Sequence, residues 1–201
     1  MNSQGKEAWP VKTVVKISVL GVISFSLMFL KTPLWFTPPF LKFDISDLPS
    51  VIGAFAMGPG TGVWIQLIKN TLNVLVEGTV TNGVGEFSNF LVGSVLAYVS
   101  GFVYHRRKTF KNALLGLGLG VLAMVTFATL SNYYVMFPLF AKVFGWELDK
   151  IVSMGSKVNK YVVDYKSLML YAVIPFNLLK GAAVSLAAVL VYKRISPLLH
   201  R

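Results

Sequence analysis

The chain has 201 residues, 55% of them hydrophobic and only 13% charged, with a mean hydropathy of +0.65. Soluble domains carry about 25% charged residues, so the composition describes an all-α integral membrane protein, a single membrane domain over residues 1–201. Cysteine is absent, which excludes disulfides, thiol catalysis and zinc–thiolate sites, and the net charge of +11 fits membrane topology and anionic lipid better than nucleic acid.

Six apolar segments follow a short N-terminal tail, residues 1–12, expected in the cytoplasm. The first runs from about Thr13 to Leu30. Its flank, Phe29-Leu30-Lys31-Thr32-Pro33, lacks the small residues of a signal-peptide cleavage site, so it reads as a retained helix. The second (about Asp47–Met57) and third (about Gly62–Val76) are joined by Gly58-Pro59-Gly60-Thr61, and Ser46 or Asp47 can cap the second. Both are shorter than the ~20 residues of a straight span. They read as short spans or as a re-entrant hairpin. The fourth (about Glu86–Tyr104), fifth (about Ala113–Tyr134) and sixth (about Ser167–Tyr192) are long enough to cross.

Lysine and arginine set the orientation. With both termini cytoplasmic, the inner side holds Lys6, Lys12, Lys16, Arg106, Arg107, Lys108, Lys111, Lys193, Arg194 and Arg201. The outer loops hold Lys31, Lys42, Lys142, Lys150, Lys157, Lys160 and Lys166, a bias of 10 against 7. Of the eight acids only Glu7 lies inside. The outer loop from Lys31 to Phe43 is rich in proline and aromatics, so it suits a cover over the outer mouth. The loop from Ala141 to Lys166 spaces Leu148, Ile151, Val152 and Val158 at roughly helical intervals, as an extracellular loop or amphipathic cap.

Against this background the polar residues stand out. Lys180 interrupts the apolar run Ile174–Val184, where hydrocarbon penalises a lysine by roughly 2.5–3.5 kcal/mol. Asn177 shares its helix face. An acidic partner or snorkelling is the plainer account of such a lysine; a ligand contact is the functional one. Asn132 sits near the outer end of segment five, beside Tyr133 and Tyr134. Glu86 and Asn89 open segment four, where Glu86 also suits the helix dipole. Lys69, Asn70 and Asn73 add polarity to segment three, and Lys69 has no acid evident from sequence. Gly116-Leu117-Gly118-Leu119-Gly120 is sufficiently explained by close helix packing.

No GxxxxGK[ST] loop, GxSxG elbow or HExxH pair occurs. The chain is therefore expected to be no enzyme and to hold no metal or resident cofactor. An outer half rich in amides and aromatics suits a flat aromatic solute bearing several hydroxyls.

Five strings in order carry a family resemblance: Phe40-Leu41-Lys42-Phe43-Asp44-Ile45-Ser46-Asp47-Leu48-Pro49, Leu67-Ile68-Lys69-Asn70, Val84-Gly85-Glu86-Phe87-Ser88-Asn89-Phe90, Asn132-Tyr133-Tyr134-Val135-Met136-Phe137-Pro138-Leu139 and Pro175-Phe176-Asn177-Leu178-Leu179-Lys180-Gly181. Together they resemble the riboflavin-specific substrate-binding (S) components of energy-coupling factor (ECF) vitamin transporters. The resemblance implies six transmembrane helices in a prokaryotic plasma membrane and riboflavin captured from outside. It also implies docking on a transmembrane coupling subunit driven by two ATPase subunits. Asn132, Asn177 and Lys180 would hold the ribityl chain or ring edge. Phe40, Leu41, Lys42, Phe43 and Asp44 would cover the ring, with Glu86 and Asn89 nearby. The extra charge of Lys42 leaves FMN open as a ligand. On segment one, Ser18, Val22 and Ser26, with Gly21 off register, stand where the family's small docking residues are expected. Two other readings compete: an S component for a different vitamin, and a small intramembrane enzyme pairing Lys180 with Glu86 or Asp44.

Overall fold

The computed structural model describes residues 9–199, with side chains through Tyr192. Lys6 and Glu7 of the topology count, His200 and Arg201, and the side chains of Lys193 and Arg194 lie outside the described residues. In chain order the elements are α1 (Val11–Met28), β1 (Thr32–Pro33), β2 (Lys42–Phe43), α2 (Leu48–Met57), α3 (Pro59–Glu77), α4 (Val84–Arg106) and α5 (Phe110–Ser131). A π-helical turn (Asn132–Met136) then leads into α6 (Phe137–Phe144), followed by α7 (Leu148–Ser156) and α8 (Tyr165–Leu168). A second π-helical turn (Met169–Val173) opens α9 (Ile174–Leu199).

Four helical stretches among the described residues are long and apolar enough to cross a membrane: Val11–Met28, Val84–Arg106, Phe110–Phe144 and Tyr165–Tyr192. The short second helix is present as α2, with 10 residues. The third is longer than its sequence pattern suggested. It has 19 residues, spanning about 28 Å at 1.5 Å per residue. Pro59 starts it because an N-terminal position needs no amide hydrogen, and Gly58, at φ 114°, makes the sharp turn from α2. Its polar face (Gln66, Lys69, Asn70 and Asn73) is buried, which is why hydropathy underrates it.

The first loop is not purely irregular, and the fold is to that extent not all-α. Thr32 pairs with Phe43 and Pro33 with Lys42 in a two-residue antiparallel ribbon. Such a ribbon closes the intervening proline-rich segment on itself, where no helix can form.

The main core is built from α2, α4, α5 and α9 around Phe55, Leu96, Tyr104, Met124 and Val184. Gly116 and Gly120 let α5 approach the backbone of α4 at Ser100 and Leu96, whereas Gly118 faces open space. A second cluster joins α6, α7 and α8 through Phe137, Ala141, Ile151, Val162 and Leu168, with Phe40 and Leu41 of the first loop packed against it. Within 141–166, Leu148, Ile151 and Val152 of α7 pack into this cluster, whereas Val158 falls beyond α7 and is exposed.

Both π-helical turns end two residues before a proline, Pro138 and Pro175. Proline brings no amide hydrogen and its ring crowds the carbonyl four residues earlier, so the ladder widens. Phe137 N–H bonds the Asn132 carbonyl instead of that of Tyr133. The Tyr133 carbonyl is left without a helical donor, and the Tyr165 hydroxyl supplies one at 2.7 Å. Before Pro175, the Tyr171 carbonyl accepts from the Asn159 side chain at 3.0 Å.

Candidate functional site

A cavity of about 480 Å³ lies between the two clusters' elements, within the ~300–1,000 Å³ range of small-molecule sites. The first loop, α6 and the 141–166 segment bring Pro39, Phe40, Leu41, Phe137, Phe140, Trp146 and Met154 to it. Helices α3, α4 and α9 bring Asn73, Glu77, Glu86, Asn89, Phe176, Asn177 and Lys180, and the first π-helical turn brings Asn132 and Met136.

Of the ten residues expected to contact ligand, Phe40, Leu41, Lys42, Asp44, Glu86, Asn89, Asn132, Asn177 and Lys180 line this cavity; Phe43 does not. Phe43 is half-buried in β2, where alternation turns its side chain away from that of Lys42. The two asparagines are set alike. Asn132 donates to the Ala128 carbonyl at 2.7 Å and Asn177 to the Val173 carbonyl at 2.8 Å. Each amide is thereby fixed on its own helix with its oxygen unspent there.

Lys180 has the acidic partners that its burial demands. Its Nζ lies 3.4 Å from Asp44 Oδ2 and 3.3 Å from Asp47 Oδ2. Lys69, fully buried, binds Asp47 Oδ1 at 2.6 Å, answering which acid it uses. Two carboxylates and two ammonium groups make a neutral cluster, the form in which buried charge is tolerated. The capping expectation for α2 is corrected here. Asp47 stands at the N-cap but makes no side-chain cap bond, because Lys69 and Gln66 take its carboxylate. Ser46 instead donates its hydroxyl to Asp44 Oδ1 at 2.5 Å. Glu86 is not an isolated acid either; Thr79 and Thr81 donate to it at 2.9 and 2.7 Å.

Several lining residues lay outside the sequence expectation. Lys31, between α1 and β1, pairs with Glu77 and donates to Asn73 Oδ1 at 3.2 Å, and all three line the cavity. Trp146 enters from the 141–166 segment with Lys150 Nζ 3.9 Å from its ring centroid. Clustering of Phe140, Phe144 and Trp146 in the sequence was the available signal. On α1, Ser18, Val22 and Ser26 form an exposed stripe, while Gly21 faces inward against Ile68 of α3 and drops out of any docking face.

A family model described as "ECF transporter, substrate-specific component" matches residues 12–192. The riboflavin transporter RibU of Staphylococcus aureus is 32% identical over 190 residues, covering 94% of this chain and 93% of that protein. The riboflavin transporter FmnP of Bacillus subtilis is 29% identical, covering 93% of each. The solved structure of the S component of a bacterial ECF transporter aligns with a TM-score of 0.72 and 31% identity, over 94% of this chain and 98% of that one. The chain therefore belongs to the substrate-specific components of ECF transporters.

Proposed function

We propose that this chain binds riboflavin from the extracellular side and delivers it for uptake as the substrate-specificity subunit of an ECF transporter. One observation carries the reading: in a chain of this family, the cavity combines aromatic and apolar walls with fixed amides and one buried lysine. A flat ring suits the walls. A hydroxylated chain suits Asn132, Asn177 and Lys180, because buried donors left empty would penalise analogues lacking hydroxyls.

The same reading takes α2 and α3 as crossings in addition to the four long apolar stretches. That makes six, with both termini cytoplasmic, in a prokaryotic plasma membrane. The exposed α1 stripe Ser18, Val22 and Ser26 would meet the transmembrane coupling subunit, and two partner ATPases would drive the cycle. The extracellular 141–166 segment would contribute Trp146 and Met154 to the ligand's cover. Transport fits better than catalysis, since Lys180 and Asp44 belong to a charge-balanced buried cluster with Asp47 and Lys69, in which the Ser46 hydroxyl donates to Asp44 and accepts from Lys69.

FMN is the second ligand worth testing. Lys42, on the cavity wall, pairs with no acid among the described residues and would meet a phosphate. Purification in detergent tests the reading directly. A bound flavin gives bands near roughly 370 and 450 nm, a property of the isoalloxazine itself. Titrations with riboflavin, FMN and unrelated vitamins rank the ligands. A colourless protein that leaves riboflavin fluorescence unquenched rejects the proposal.

A further inference from the structure

We propose that Lys69 is a positioning residue of this cavity: through Asp47 it keeps the ammonium of Lys180 available to ligand. The inference rests on the riboflavin reading above.

Lys69 is completely buried and does not line the cavity. Its three ammonium protons have three acceptors, Asp47 Oδ1 at 2.6 Å, Ser46 Oγ at 3.2 Å and Asn89 Oδ1 at 3.2 Å. It has no donor left for a ligand. Lys180 is the opposite case. It lines the cavity, and its contacts to Asp44 and Asp47 are long, at 3.4 and 3.3 Å. Charge-assisted bonds of this type are ordinarily about 2.7–2.9 Å. Two acids serve its three protons loosely, so ligand acceptors can compete for them.

Asp47 connects the two lysines. Its Oδ1 is taken by Lys69 and by Gln66 at 2.8 Å, and its Oδ2 faces Lys180. Without Lys69, the buried Asp47 carboxylate would depend on Lys180 for its countercharge. Lys180 would close on it and withdraw from the cavity. Lys69 also donates to the side-chain oxygen Oδ1 of Asn89, a cavity residue, which orients that amide. A lysine outside the cavity thus sets two polar groups inside it. The plainer account is a buried pair that only packs α3 against α2. The two accounts differ in what happens to ligand selectivity.

The test uses the full chain purified in detergent and two flavins, riboflavin and the same ring bearing a methyl group in place of the hydroxylated chain. For Lys69→Met we expect riboflavin affinity to fall roughly tenfold or more, and affinity for the methyl flavin by less than about threefold. The double variant Lys69→Met/Asp47→Asn restores charge balance and returns riboflavin affinity to within about threefold of the unsubstituted chain. Equal losses for both flavins, unchanged riboflavin affinity in the single variant, or no recovery in the double variant overturns the inference. Should the single variant not fold, the balanced double variant decides: riboflavin affinity more than about threefold below that of the unsubstituted chain overturns the inference. If the unsubstituted chain binds no flavin, the riboflavin reading falls and takes this inference with it. If it binds and the variants respond uniformly, only the inference falls.

Discussion

Lys180 on α9 meets Asp44 of the first loop at 3.4 Å, across 136 positions of sequence. The contact ties the cover of the cavity to the helix that carries Asn177. Removing Lys180 leaves two buried carboxylates with Lys69 alone, and breaking a buried pair typically costs about 3–5 kcal/mol. We expect Lys180→Ala to lose more than about tenfold in riboflavin affinity and to melt at lower temperature. Fluorescence quenching and thermal unfolding in detergent measure the two effects. Full affinity in Lys180→Ala would leave the lysine as packing alone.

The sequence made Lys180 conspicuous because charge in a long apolar run has few solvents available to it. Asn132 and Asn177 were legible for the same reason. Of the partners of Lys180, Asp44 is one of the two acids the sequence offers and Asp47 is not, since Asp47 reads as a helix cap. Only the three-dimensional approach of α3 and α9 shows that both acids are spent on lysines. The length of α3 was hidden too, because its buried polar face lowers hydropathy while the protein interior, not lipid, receives it. Trp146 lies in the turn between α6 and α7, where no periodicity says which way it points, and Met154 of α7 falls outside the apolar spacing of Leu148, Ile151 and Val152.

The glycines of α5 divide by environment. A Cβ on Gly116 would lie 2.7 Å from the Ser100 carbonyl oxygen, whereas one on Gly118 would meet nothing within 4 Å. Backbone cannot give way cheaply, so Gly116→Ala should destabilise by about 1–3 kcal/mol. Gly118→Ala should be neutral or stabilising by up to ~1 kcal/mol, through helix propensity. Melting temperatures of the two variants give the comparison. Equal effects would mean that α5 does not approach α4 through Gly116.

Acid should weaken the start of α8. Asp164 accepts from Ser167 N–H at 2.7 Å, and Ser167 Oγ accepts in return from Asp164 N–H at 2.8 Å. Hydrogen bonds from Ser167 hold the Asp164 carboxyl below its ordinary value of 3.8. A depressed carboxyl contributes stability that is complete above the unfolded value, about 3.9, and lost as pH falls through the folded one. The melting difference between the unsubstituted chain and Asp164→Ala should therefore hold steady from about pH 8 to 5 and shrink below about pH 4. A gap constant to about pH 3 would show that the cap does not depend on the charge.

The widened helix at Asn132 offers a test of how the site is placed. Tyr165 stacks on Tyr133, with ring centroids 4.8 Å apart, and donates to its carbonyl. Tyr165→Phe keeps the stack and removes the donor, leaving a carbonyl that neither Phe137 nor Pro138 serves. The cost should be about 1–3 kcal/mol. Pro138→Ala restores an amide hydrogen five residues after Tyr133, so the double variant should lose less than the two single variants together. It should also move Asn132, because the α6 proline is what sustains the π-helical turn. Thermal unfolding reads the first effect and riboflavin affinity the second. Strict additivity in stability would show that Tyr165 and Pro138 do not act on the same carbonyl. Unchanged affinity in Pro138→Ala would show that the turn does not position Asn132.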